Sequence, residues 1–134
     1  MKNWMLGLAG LVAVSMVALA QTAPADTMMK SESYVAYSAK AFAADTTHKR
    51  VLFFAASWCP TCRSADADIN SKLKTIPKEV VIYKTDYDTE TALKTKYGIT
   101  HQHTFVYVNA KADAVKKWSG GGLDEILANV SAAK

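Results

Sequence analysis

The sequence predicts an α/β protein with a central mixed sheet flanked by helices, in the order β-α-β-α-β-α-β-β-α. Three observations support this. Short apolar runs fit for buried strands alternate with stretches whose apolar residues recur at helical spacing. That alternation argues for parallel βαβ pairing, while two consecutive late strands argue for an antiparallel hairpin. Finally, both cysteines of the 134-residue chain fall at one strand-to-helix junction.

Taken from the start, residues 1–20 read as a secretory signal. Lys2 is the only charge, the apolar stretch Trp4 to Ala20 follows, and small residues recur at Ala18-Leu19-Ala20 and Ala23-Pro24-Ala25. Cleavage is expected after Ala20 or Ala25, since the stretch is short for a membrane anchor. Residues 21–32 are polar and small and are expected to form a flexible leader, which leaves 33–134 as one domain. A first strand is expected around Ser33 to Tyr37, with Ser38 capping a helix to about Ala44 that buries Ala41 and Phe42. His48, in the loop Asp45-Thr46-Thr47-His48, reads as a solvated residue.

Val51 to Ala55 is apolar throughout, as a buried strand is. Behind the cysteines, Ala65, Ile69, Leu73 and Ile76 form one apolar stripe of a helix that Pro77 ends. Asp66, Asp68, Lys72 and Lys74 read as its solvated face. Val80 to Tyr83 is a strand, and Asp88 or Thr89 is expected to cap a helix reaching Tyr97 and stopped by Gly98. Strands follow at Thr104 to Val108 and Ala114 to Trp118, then the loop Gly120-Gly121-Gly122. Leu123, Ile126, Leu127 and Val130 mark the last helix.

The chemistry concentrates in Ser57-Trp58-Cys59-Pro60-Thr61-Cys62-Arg63. Haem attachment needs His directly after the second Cys, and Arg63 stands there. A zinc site wants a second close ligand pair, which His48, His101 and His103 do not supply at the usual spacing. A structural disulfide gains stability from the loop it closes, and this loop is very short. A redox-active dithiol fits best. Pro60 suits the first helical position, which places Cys59 where unpaired N–H groups and the helix dipole favour a thiolate. Cys62 can then resolve the mixed disulfide. The net charge of +4 (pI near 9.0) comes without a Lys/Arg block, so no nucleic-acid partner is implied.

The apolar strand, Trp58-Cys59-Pro60-Thr61-Cys62, Tyr97-Gly98-Ile99, Thr104-Phe105 and the late glycines together resemble the thioredoxin family, from about Tyr34 to the C-terminus. The resemblance implies a thioredoxin-like fold and an exported thiol–disulfide oxidoreductase acting outside the cytoplasm. It makes Cys59 the nucleophile and Cys62 the resolving thiol. Trp58, Pro60, Thr61, Gln102 and His103 would form the substrate-binding surface. It implies no cofactor beyond the Cys59–Cys62 disulfide itself. Partners would be protein thiols and disulfides, plus a redox partner that resets the dithiol. No stable membrane span is expected after signal cleavage, and a monomer suffices. Strong periplasmic oxidants usually carry a helical insertion before the fourth strand, and isomerases a dimerisation domain. A reductant or general exchange protein fits better.

Two positions depart from the family pattern. His103 stands where the family has a cis-proline before the Thr that opens the fourth strand. Three readings stay open for it. It stabilises the Cys59 thiolate or shuttles protons; it joins Cys59 and Cys62 as a third metal or iron–sulfur ligand; or it is an inert substitution. If this stretch is extended, His101 and His103 point to the same side. Phe53 stands where the family often has a buried aspartate that moves protons for the resolving thiol, leaving Lys84 without its usual partner. Water, His103 or another group must then serve Cys62. A metal- or cluster-binding module and a redox-inactive interaction protein remain the alternatives.

Overall fold

Five strands form one mixed sheet: β1 (Tyr34–Ala36), β2 (Lys49–Ala55), β3 (Val80–Asp86), β4 (Thr104–Val108) and β5 (Ala114–Ser119). Among the described residues, α1 (Ala39–Ala44), α2 (Pro60–Ser71) and α3 (Thr91–Tyr97) connect strands, and α4 (Leu123–Ala132) follows β5. The computed structural model describes residues 32–133. The expected signal segment 1–20 and residues 21–31 of the leader lie outside the described residues. Among the described residues, no helix is long and apolar enough to cross a membrane.

The sheet order is β1-β3-β2-β4-β5. β3 runs parallel to both β1 and β2, and β4 runs antiparallel to β2 and β5, so the sheet is mixed as expected. Side chains alternate across a strand, which splits the core into two layers. Val51, Phe53 and Ile82 point toward α2 and α4, where Ala65, Ile69, Leu123, Ile126 and Val130 meet them. Leu52, Phe54, Val81 and Tyr83 face the other side, with Phe42 of α1 and Tyr97 of α3. Each such fully buried side chain contributes roughly 1.5–3 kcal/mol relative to exposure.

Local chemistry explains most boundaries. The Ser38 hydroxyl accepts the Ala41 N–H at 3.4 Å and starts α1. Ala41 itself is exposed, so α1 buries Phe42 alone rather than the expected pair. Gly98 ends α3 at φ +62°, a left-handed conformation that glycine adopts without a Cβ penalty. Helix α2 stops at Ser71, short of Pro77, because the backbone tightens into a 3-10 turn over Leu73–Thr75. Lys72 N–H bonds the Ile69 carbonyl at 3.1 Å, and the Thr75 hydroxyl bonds the Lys72 carbonyl at 2.7 Å. Ile76 still reaches the core.

Strand β2 begins two residues before the apolar run and carries Arg50, which is only 1 % exposed. Its guanidinium donates to the carbonyls of Phe42 (2.6 Å), Asn109 (2.6 Å) and Ala110 (3.1 Å), and stacks on the Phe42 ring. Carbonyl groups, not a carboxylate, therefore compensate this buried charge, tying α1 to the β4–β5 turn.

Candidate active site

The dithiol sits where β2 hands over to α2. Cys59 is the N-cap of α2, and its sulfur accepts the Cys62 N–H at 3.2 Å. Pro60 fills the first helical position, where a missing N–H costs nothing. The Thr61 hydroxyl lies 3.3 Å from the Cys59 sulfur, and Arg63 reaches back to the Ser57 carbonyl at 3.0 Å. Both cysteines are free thiols. Cys59 is 2 % exposed and Cys62 1 %, so both sulfurs are enclosed.

The two sulfurs are driven apart in acidity. Burial raises the Cys59 thiol, but hydrogen bonds from the Cys62 thiol, the Thr61 hydroxyl and the N–H groups of Cys62 and Thr61 outweigh it and leave it below its ordinary value. Burial and its hydrogen bond to Cys59 push Cys62 up to about 11, against the pull of the Ala56 and His103 N–H groups. The pair thus sets a more acidic Cys59 sulfur beside a less acidic Cys62 thiol, the division of labour that disulfide exchange needs.

Position 103 has a backbone that proline cannot adopt. His103 has φ +55°, and its N–H donates to the Phe54 carbonyl at 2.8 Å. Proline fixes φ near −65° and has no N–H to give. No peptide bond among the described residues is cis. The left-handed turn also prevents an extended 100–103 stretch, so His101 and His103 diverge. His101 lies 2.8 Å from the Ser119 hydroxyl, while His103 Nε2 donates to the Gly121 carbonyl at 2.9 Å. The His103 ring packs against Phe53 and Phe105, with centroids 5.9 and 5.6 Å away. His103 bears on Cys62 through its main chain, whose N–H is already bonded to Phe54, while its imidazole is engaged with Gly121. Among the described residues, no set of three or more His, Cys, Asp or Glu side chains is gathered to hold a metal.

Around the dithiol, Trp58 is 56 % exposed and Pro60 and Thr61 are exposed, whereas Gln102 and His103 are half-buried. The Trp58 indole donates to both carboxylate oxygens of Asp88, at 3.0 and 3.2 Å. Asp88 is therefore not the cap of α3, which starts after Glu90 without a side-chain cap. Asp66 is not part of a plain solvated face either. It pairs with Lys84 at 2.8 Å and accepts the Tyr34 hydroxyl at 2.6 Å. Asp68 also leaves that face, accepting the Leu123 N–H at 2.8 Å at the start of α4. The one hint in the sequence was a Lys84 without its expected partner; Asp66 itself read as solvated.

The sequence profile of the thioredoxin family matches residues 33–132. Thioredoxin H4 of Arabidopsis thaliana is 29% identical over 80 residues, spanning 60% of this chain and 66% of that protein. A thioredoxin H-type of Brassica oleracea is 28% identical over 116 residues, or 86% of this chain and 93% of the relative. The crystal structure of Fasciola hepatica thioredoxin superposes with a TM-score of 0.60 at 26% identity, over 71% of this chain and 90% of that one. With Cys59 capping α2, Cys62 in its first turn and the profile spanning nearly the whole described region, the chain belongs to the thioredoxin family of thiol–disulfide oxidoreductases.

Proposed function

We propose that the chain is an exported protein thiol–disulfide exchange enzyme, working as a reductant or general exchange protein. The observation that carries the reading is the asymmetry of the dithiol, a Cys59 sulfur held by donors at the mouth of α2 beside a Cys62 thiol that keeps its proton. The Cys59 thiolate attacks a substrate disulfide and releases one substrate thiolate. Cys62 then loses its proton and attacks the Cys59 sulfur, freeing the second substrate thiol and leaving the Cys59–Cys62 disulfide. Two electrons have passed to the substrate, so an external dithiol must reset the pair. Trp58, Pro60, Thr61, Gln102 and His103 form the surface against which the substrate chain lies. The indole, pinned by Asp88, supplies apolar area there at little entropic cost.

The apolar N-terminal stretch and the small residues behind it support export. The β3–β4 connection holds the single helix α3, which supports a reductant over a strong oxidant. The test is reduction of a model protein disulfide, together with equilibration of the Cys59–Cys62 couple in a glutathione buffer. The wild-type protein is expected to reduce the disulfide, Cys59→Ser to lose activity, and Cys62→Ser to accumulate a mixed disulfide. Failure of the intact dithiol to exchange would overturn the reading. A couple on the oxidising side of glutathione would reverse the proposed direction.

A further inference from the structure

Phe53 and Lys84 face each other in register on adjacent strands β2 and β3, on the side of the sheet covered by α2. A phenyl ring offers the ammonium no carboxylate to pair with. Lys84 instead meets Asp66, which projects from α2 one turn beyond Cys62. The Tyr34 hydroxyl of β1 donates to the same carboxylate oxygen. The pair and Cys62 line one cleft of about 280 Å³, together with Arg63 and Asp86. A cleft of that size, edged by the charged groups of Arg63, Asp66, Lys84 and Asp86, has room and polar partners for water.

We propose that Asp66 and Lys84 are the positioning residues for the Cys62 proton, acting through the water of this shared cleft. This deepens the exchange mechanism proposed above and rests on it. Before Cys62 can attack the Cys59 sulfur, its S–H bond must break and the proton must reach solvent. The cleft is the route on the Cys62 side. The Asp66 carboxylate is not the final acceptor. Burial raises it, but the Lys84 ammonium and the Tyr34 hydroxyl outweigh that and hold it below the ordinary carboxylate range, which makes it a poor base. The pair acts by its charges instead. Lys84 favours the departing proton and the thiolate left behind, and Asp66 holds Lys84 in place while opposing it.

The other charged or titratable groups facing Cys62 are few. On its own helix they are Cys59, which receives its hydrogen bond, and Arg63, which is turned to the Ser57 carbonyl. From β3 comes Asp86, which accepts the Asp88 N–H at 2.8 Å. From the loop before β4 comes His103, whose ring is engaged with Gly121.

The test is a pH titration of Cys62, followed by the carbon resonance of its labelled Cβ in a reduced Cys59→Ser protein. Lys84→Gln is expected to move the midpoint up and Asp66→Asn to move it down, each by roughly half a unit or more. The double variant Asp66→Asn/Lys84→Gln should return it toward the parent. Opposite shifts are a signature that a merely structural role does not produce, and both side chains lie at the surface of the cleft, outside the core. Unmoved midpoints, or shifts in the same direction, overturn the proposal. A Cys59→Ser protein performs no exchange, so the titration reads the ion pair even if the exchange function itself fails its own test.

Discussion

The backbone N–H of Cys62 points at the sulfur of Cys59 across 3.2 Å, so the helix begins by binding a thiol at its own mouth. An N-cap acceptor ordinarily satisfies an orphan donor, and here the acceptor is also the sulfur proposed to attack the substrate. The Thr61 hydroxyl adds a second contact at 3.3 Å.

Thr61→Val keeps the shape and removes that hydroxyl. The Cys59 thiol should rise toward its ordinary value, and its alkylation at neutral pH should slow roughly two- to tenfold, for a bond worth about 0.5–1.5 kcal/mol. The pH profile of the alkylation rate checks it: the midpoint moves up, and the plateau at high pH stays.

Arg50 is the buried charge that organises the far end of β2. Arg50→Met preserves much of the volume but strands the carbonyls of Phe42, Asn109 and Ala110. Stability should fall by about 2–4 kcal/mol. A urea titration should show a lower midpoint with an unchanged slope.

Asp45 joins α1 to β3 by accepting the Tyr83 hydroxyl at 2.8 Å and His48 Nδ1 at 2.7 Å. Burial raises its carboxyl, but these bonds and the His48 N–H outweigh burial and hold it below the ordinary value. A folded-state value below the unfolded one stabilises the protein above the unfolded value, and that stabilisation fades as pH falls through the folded one. Wild type should therefore exceed Asp45→Asn by about 1 kcal/mol at neutral pH, with the gap closing in acid. Denaturation series at several pH values measure the gap, and one that persists unchanged in acid would contradict the assignment.

What the sequence made legible was whatever is decided locally. Ser38, Pro60 and Gly98 mark helix ends through their own backbone chemistry, and each lies where that chemistry put it. Thr104–Val108 was readable because five consecutive strand-type residues fill a central position. Asp66, Asp88 and Arg50 were opaque for the opposite reason. Their partners, Tyr34, Trp58 and Asn109, are 32, 30 and 59 residues distant in the chain, and a polar side chain on a helix face or in a loop looks solvated until the sheet brings its partner to it. The turn at His103 was opaque too, since its left-handed backbone depends on a hydrogen bond to Phe54 across the β2–β4 pair.

The most direct measurement is competitive alkylation of the reduced, folded protein with a small reagent at neutral pH, mapped residue by residue. Modification of Cys59 well ahead of Cys62 is the predicted result, the lowered thiol outweighing its enclosure. An untouched Cys59, with Cys62 or neither sulfur labelled, would contradict it.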